Sequence, residues 1–334
     1  MKKIILILCC ASMFCIASKS FAQSPTISPA REAARKSLGQ LGVEYSRDSF
    51  VKQAGEGDTI AVQLFLAAGM DPNSYSHDNN TALIAAASNG FTETVQALLA
   101  GGADINKKGT NGYTPLMSAA QADKLNTVKL LLDKGANVNA ADDSGDTALL
   151  VTSDPDIIKE LLDKRADVNA KGSVGWTALM KAANTGQAET AKLLLSRGAD
   201  VNARNGYGDT ALLIALEREH PDIAMVLLNH KADVKVKTRV GSTALMLAAQ
   251  MGSVELVKAL LDKGVDVNAT EGNGWTSLMK AADHGHIDIV KILLQKGADV
   301  NVKSESGGYT ALKIASQRQN TDLIQLLINA GARQ

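Results

Sequence analysis

The sequence has 334 residues, of which 45% are hydrophobic, 21% charged and only 4% aromatic, and its formal net charge is zero. This composition fits a folded soluble protein and is atypical of a disordered or fibrous chain. Because aromatic residues are so few, the core must be built from Leu, Ala, Val and Ile.

Residues 1–22 have the pattern of a secretory signal peptide. Lys2 and Lys3 form a positive start, residues 4–17 are mostly apolar, and the stretch Ser-Phe-Ala that ends at Ala22 places small residues where a signal peptidase reads them. The alternative is a membrane anchor, but the apolar run is shorter than the roughly 18 residues that a span usually needs. A lipoprotein is disfavoured, because no cysteine follows a Leu-small-small triplet. We therefore expect cleavage after Ala22.

All three cysteines lie within this segment, so the mature chain has none. It therefore has no disulfide, no thiol nucleophile and no thiolate metal ligand, which suits an oxidising compartment. Loss of Lys2, Lys3 and Lys19 leaves 32 basic and 35 acidic residues, a net charge near −3. That charge argues against bulk binding of nucleic acid or of an anionic membrane.

A repeat of about 33 residues organises the rest of the chain. A second marker of the type GADVN follows about 22 residues after the Thr of a Thr-x-Leu sequence, in every unit except the last. The nonapeptides GWTALMKAA (175–183) and GWTSLMKAA (274–282) agree at eight of nine positions. A fixed period of this length indicates stacked structural units. The Thr-x-Leu sequence begins at Thr81, Thr114, Thr147, Thr177, Thr210, Thr243, Thr276 and Thr310.

The unit that begins at Thr243 shows the expected local structure. Thr243 can cap a helix with its hydroxyl, and the helix ALMLAAQ then ends at Gly252. A second helix, VELVKALLDK, carries its apolar residues on one face, and Gly264 follows where a left-handed cap is needed. Each helix is too short to be stable alone in water, so we expect neighbouring units to stack into one core.

On these residues the chain resembles the ankyrin-repeat family, in its period, its Thr-x-Leu opening, its Gly-Ala-Asp-Val-Asn marker and its Asn-Gly fingers. The resemblance covers residues 48–334 and implies an all-α solenoid of helix-turn-helix units joined by β-hairpin or loop fingers. We expect residues 23–47 to form a lead-in helix over the first repeat. The units are expected to begin near residues 48, 81, 114, 147, 177, 210, 243, 276 and 310.

One unit departs from the pattern in length and two in their caps. The unit at Thr147 is three residues short between its helices, and it has Arg165 where most others have glycine. The unit at Thr210 has Lys231 at the equivalent position. If this position is left-handed, each side chain costs roughly 1 kcal/mol or more.

The histidines and glycine-rich stretches do not form a convincing catalytic pattern. His284 and His286, beside Asp283 and Asp288, are the one cluster that hints at a metal, but they occupy repeat positions where a structural role is expected. No nucleophile elbow or phosphate-binding loop is present. We therefore expect a protein that is not an enzyme and that binds no cofactor or metal.

The resemblance implies that partners bind a concave face, which we define as the surface formed by the fingers and the first helix of each unit. Positions on this face vary between units, and four of the few aromatic residues directly precede the repeated Thr. Aromatic side chains are enriched at binding hot spots; the alternative is that each ring packs on the neighbouring finger. The predicted binding residues are Tyr113, Trp176, Lys181, Trp275, Lys280 and Tyr309.

The sequence thus predicts an exported, monomeric protein-binding module that acts in the bacterial periplasm as a scaffold, an inhibitor or an accessory factor. One alternative is an effector that is secreted further and binds a host protein. Another is an enzyme whose site lies in the concave face. The partner itself cannot be identified from the sequence.

The first prediction concerns processing. Exported protein should begin at Gln23, because the small residues that end at Ala22 follow the apolar run at the distance that a signal peptidase requires. Intact-mass and N-terminal peptide mass spectrometry will measure this. A retained Met1, or a lipid on Cys9, Cys10 or Cys15, is the result that contradicts it.

Overall fold

The computed structural model describes residues 27–305 and 307–333, and the predicted signal peptide lies outside this part of the chain. The described residues contain nineteen α-helices and no β-strand, although three fingers contain a single antiparallel bridge. The helices are α1 (Pro29–Gln40), α2 (Arg47–Glu56), α3 (Thr59–Ala67), α4 (Ala82–Asn89), α5 (Thr92–Ala100), α6 (Pro115–Gln121), α7 (Leu125–Asp133), α8 (Ala148–Val151), α9 (Pro155–Asp163), α10 (Ala178–Thr185), α11 (Ala188–Ser196), α12 (Ala211–Glu217), α13 (Pro221–Asn229), α14 (Ala244–Met251), α15 (Val254–Asp262), α16 (Ser277–Asp283), α17 (Ile287–Gln295), α18 (Ala311–Gln317) and α19 (Thr321–Asn329).

Helices α2 to α19 form nine consecutive helix-turn-helix pairs. The first helix of each pair contacts the first helix of the next, and the second helices contact one another in the same order. The pairs therefore stack as two layers, one of first helices and one of second helices. This arrangement confirms the all-α solenoid that the repeat predicts.

The core runs along the stack between these two layers. On α14, Ala244 and Ala248 are fully buried, and on α15 Leu256, Val257 and Leu260 are fully buried. Alanine on the first helices lets neighbouring pairs approach closely, while leucine and valine on the second helices fill the remaining space. Burial of each leucine or valine side chain stabilises the fold by about 1.5–3 kcal/mol.

The recurring threonine is the N-cap of each first helix in seven of the eight Thr-x-Leu units. Its hydroxyl accepts a hydrogen bond from the backbone N–H of the third helical residue, at 3.1–3.4 Å. Such a cap stabilises a helix by about 0.5–2 kcal/mol, which explains why the sequence repeats this residue type. The capping residues are Thr81, Thr114, Thr177, Thr210, Thr243, Thr276 and Thr310.

The asparagine that ends the second marker joins each unit to the next. Asn169, for example, accepts the backbone N–H of Asp200 through Oδ1 at 2.7 Å and donates from Nδ2 to the carbonyl of Gly198 at 3.1 Å. The same acceptor bond recurs between most adjacent units, at 2.7–2.9 Å. Lys235 occupies this position in one unit and has no amide oxygen with which to accept, so the series is interrupted there.

Helix α1 covers the second-helix layer at the N-terminal end of the stack. Ser28 caps it through a bond from the N–H of Arg31, and α1 contacts α3. Its Leu38 is fully buried, and the ring of Tyr45 stacks on Phe65 with 5.7 Å between the ring centroids. The aromatic side chains thus supply at this end the cover that a preceding repeat supplies elsewhere.

The unit that begins at Thr147 has the least regular structure of the stack. Its first helix, α8, has only four residues, and the hydroxyl of Thr147 is buried with no hydrogen-bond partner among the described residues. Arg165 and Lys231 adopt φ values of +66° and +65°, which confirms that the glycine position they occupy is left-handed. A side chain in that conformation costs roughly 1–2 kcal/mol.

We predict that the segment 147–169 exchanges its amide hydrogens faster than the units that begin at Thr243 and Thr276. Its short helix and uncapped N-terminus leave fewer stabilising contacts, and stability in a stack of repeats depends on each nearest-neighbour interface. Hydrogen exchange measured by mass spectrometry will test this, and equal protection along the stack would contradict it.

Arg165→Gly should raise the free energy of unfolding by up to about 1 kcal/mol, because glycine removes the strain of the left-handed conformation. The matched control is Lys134→Gly. Lys134 precedes the equivalent glycine of the preceding unit at φ −86°, where glycine relieves no strain. Chemical denaturation of both variants measures the difference, and a loss of stability in Arg165→Gly would show that its side chain makes a compensating contact.

Candidate protein-binding face

The four aromatic residues predicted to bind lie directly before the N-caps of first helices. At Tyr113 and Trp176 the backbone is extended as the chain passes from the finger into the helix, with φ near −65° and ψ near 135°. Tyr113, Trp176, Trp275 and Tyr309 are each half-buried and pack in part against the core. Each ring therefore supports its finger and also presents an exposed part to the surface of the stack.

Trp275 belongs to a closed polar network. The ammonium of Lys280 lies 5.2 Å from the Trp275 ring centroid, and the same group is 3.0 Å from Oε1 of Glu271. Glu271 is only 8% exposed, and its other carboxylate oxygen accepts the hydroxyl of Ser242. A buried carboxylate is costly unless it is paired and hydrogen-bonded, and here both conditions are met, so Lys280 is largely neutralised by the finger that leads directly into its helix.

Trp176 lies in a different environment from Trp275, although the two nonapeptides are nearly identical. Lys181 donates from Nζ to the carbonyl of Leu150, at 2.5 Å, in the last turn of α8, and it lies 3.7 Å from the carboxylate of Asp146. The position equivalent to Glu271 is Gly172, where a Cβ atom would collide with Oδ1 of Asp146. The carboxylate of the pair is therefore supplied by Asp146, in the finger one repeat earlier, and Lys181 compensates the partial negative charge at the end of a shortened helix.

A cavity of about 330 Å³ opens beside Trp176. It lies where α8 ends after four residues, whereas the first helices of the other Thr-x-Leu units have seven or eight. Leu149, Val151 and Ile158 form part of its wall, and Trp176 and Lys181 form another part. The three-residue deletion in this unit thus produces an opening on the predicted face.

The two tyrosines of the predicted set have different surroundings. The ammonium of Lys313 lies 4.7 Å from the Tyr309 ring centroid, so Tyr309 is a second aromatic residue of this face, after Trp275, with a cation beside its ring. Burial raises the pKa of Tyr113 above its usual value, and the nearby carboxylates of Asp142 and Asp146 raise it further. Tyr113 is therefore a neutral hydrogen-bonding group at neutral pH.

Sequence reasoning missed several residues of this surface. Glu271 and Lys313 are members of the two cation–aromatic groups described above, and neither was predicted. Three successive finger tips also carry exposed apolar side chains, Val174, Tyr207 and Val240, at 47%, 50% and 66% exposure. Each lies three residues before its Thr, so a comparison of that repeat position between units is the signal that identifies them.

The histidine cluster has a structural arrangement. His284 shares a hydrogen bond with the carbonyl of Lys280, and His286 shares one with the carbonyl of Gln250 on the preceding unit, both at 3.1 Å. Within residues 27–305 and 307–333, no group of three or more His, Cys, Asp or Glu side chains is placed to hold a metal ion. The carbonyl bonds give both rings a role in the repeat.

In the same part of the chain, no helix combines the length and the apolar character that crossing a bilayer requires.

A search of curated proteins found no match to this chain. A family model described as ankyrin repeats (3 copies) matches residues 51–142, 147–238, 198–271 and 245–334. Members of that family generally mediate protein–protein interactions and are typically not enzymes. These matches cover most of the sequence, and with the nine stacked helix pairs they show that the chain belongs to the ankyrin-repeat family.

Proposed function

We propose that this protein is an exported binding module that holds another protein on its concave face and catalyses no reaction. The observation that carries the proposal is the set of half-buried aromatic residues that precede the capping threonines, two of which, Trp275 and Tyr309, have a lysine ammonium close to the ring. Aromatic rings beside cations supply apolar contact area and charge recognition in one place. The six residues of the proposed surface are Tyr113, Trp176, Lys181, Trp275, Lys280 and Tyr309.

The proposed location is the bacterial periplasm, and its support is the signal-peptide pattern of residues 1–22. In that compartment the protein would serve another exported protein as a scaffold, an inhibitor or an accessory factor, and it would act as a monomer without a cofactor. An effector that is secreted further is the second candidate. Fractionation of the producing cells separates the two, since an effector accumulates in the medium.

We predict that Trp176→Ala combined with Trp275→Ala weakens binding of the partner by at least about tenfold. Loss of one hot-spot aromatic typically costs about 2 kcal/mol of binding free energy, and about 1.4 kcal/mol corresponds to tenfold. The partner is isolated first from periplasmic extract with the unaltered protein as bait. Its affinity for both proteins is then measured by calorimetry, together with the thermal midpoint of each.

The matched control is Ile60→Ala combined with Ile328→Ala. Both side chains are exposed and apolar, at 69% and 46%, but they lie on the second helices α3 and α19. We expect this control to bind with unchanged affinity. If the double tryptophan variant binds normally and melts early, the rings support the fingers only and the partner binds elsewhere.

A further inference from the structure

The cavity beside Trp176 differs from the rest of the face because it is particular to one unit. It is formed where α8 stops after four residues, so the space that the end of a first helix fills elsewhere is open. Its apolar walls come from Leu149, Val151 and Ile158, and from the ring of Trp176. A volume of about 330 Å³ is at the lower end of the range for ligand pockets, which suits one amino-acid residue with a large side chain.

A buried hydroxyl without a partner lines the same cavity. Thr190 is 3% exposed, and its Oγ1 makes no hydrogen bond with any described residue. An unsatisfied buried hydroxyl costs about 1–3 kcal/mol, and a ligand with a polar group can recover that cost. Thr127 occupies the equivalent repeat position and is also unpaired, but it does not line this cavity.

The ionised group in the wall of the cavity is a cation. Among the described residues that line it, Lys181 is the one ionised side chain. Its carboxylate neighbour, Asp146, is 3.7 Å away, whereas Lys280 in the matching unit is 3.0 Å from a nearly buried Glu271. Lys181 is also more exposed than Lys280, at 36% against 19% of the side chain. The Lys181 ammonium is therefore farther from its carboxylate partner and more accessible to an anion than the Lys280 ammonium is.

We propose that this cavity binds the C-terminal residue of the partner protein, with a large apolar side chain inside the pocket and the α-carboxylate against Lys181. The apolar wall and the ammonium belong to one small cavity, so the ligand must carry its carboxylate very close to its apolar group. An α-carboxylate is separated from the side chain by the Cα atom alone, whereas the carboxylate of a neighbouring Asp or Glu is farther away. The proposal rests on the proposed protein-binding function and specifies what one part of that surface recognises.

The experiment uses the full mature chain with Trp275→Phe, in which Trp176 is the remaining indole. The probe is N-acetylphenylalanine, and the matched probes are its C-terminal amide, N-acetylglycine and N-acetylphenylalanyl-glutamate with an amidated C-terminus. We expect N-acetylphenylalanine to change the Trp176 fluorescence and the NMR signals of residues 149–153 and 176–190, with a dissociation constant on the order of 1 mM. The amide should bind about fivefold more weakly, because the contact with Lys181 is a partly exposed ion pair.

Two variants test whether the binding depends on this cavity. Lys181→Met should remove the preference for the carboxylate over the amide while both probes still bind. An insertion of three residues after Val151, which gives α8 the length of a regular first helix, should abolish binding and leave the protein at least as stable. The reciprocal protein with Trp176→Phe retains Trp275, whose closed network offers no cavity, and its fluorescence should not change.

The proposal is overturned if N-acetylphenylalanine and its amide bind equally, if the glutamate-containing probe binds as tightly as the free carboxylate, or if the insertion variant still binds. The outcomes also separate this proposal from the broader one, because the probes require no partner. Probe binding at Trp176, combined with a normal affinity of the double tryptophan variant for the partner, would show that the cavity recognises a C-terminal residue but that this partner binds elsewhere, which rejects the proposed role of the face. If the double tryptophan variant loses affinity for the partner but none of the probes binds, only the proposal for the cavity is rejected.

Discussion

The structure depends on the burial of each helix pair against its two neighbours. The helices of the nine pairs have four to ten residues, and helices of that length are marginal in water. What keeps them folded is the layer of alanine and leucine side chains between consecutive pairs, so each pair's stability is shared with the pairs on either side. The shortening of α8 therefore affects α6 and α10 as well, and the cavity beside Trp176 is the direct consequence of the missing cover.

Because the fold depends on this packing, some repeat positions are fixed by the structure, and others are free to vary between units. The capping threonine, the left-handed glycine and the asparagine that bonds to the next unit are repeated, because each satisfies backbone groups that would otherwise be unpaired. The residue before the threonine and the residue four positions after it have side chains that make no hydrogen bond repeated from unit to unit. Trp176 with Lys181, Trp275 with Lys280, and Asp146 and Ser242 occupy such positions, and the differences between units are concentrated there.

The fold could be predicted from the sequence because its signals are local and repeated many times. The two repeated markers predict the helix pairs, and the recurring glycine indicates that the position of Arg165 is left-handed. The contrast between the two nonapeptides could not be predicted in this way. Their residues are almost the same, but their environments differ for two reasons. Gly172 occupies the repeat position that Glu271 occupies in the other copy, and the first helix that packs beside Trp176, α8, is short. Those causes lie outside the nonapeptide and act through packing between units.

The unit between Thr147 and Trp176 contains several features that are locally unfavourable. The Thr147 hydroxyl is buried without a partner, Arg165 adopts a left-handed conformation, and Val174 does so at φ +53° although its side chain is β-branched. Val174 is also exposed, so packing of its side chain does not offset this strain. Glycine at the position of Arg165, as in most of the other units, would relieve that cost without changing the fold. Departures from local preference that a fold does not require are concentrated at functional sites, and here they belong to the unit whose shortened first helix opens the cavity.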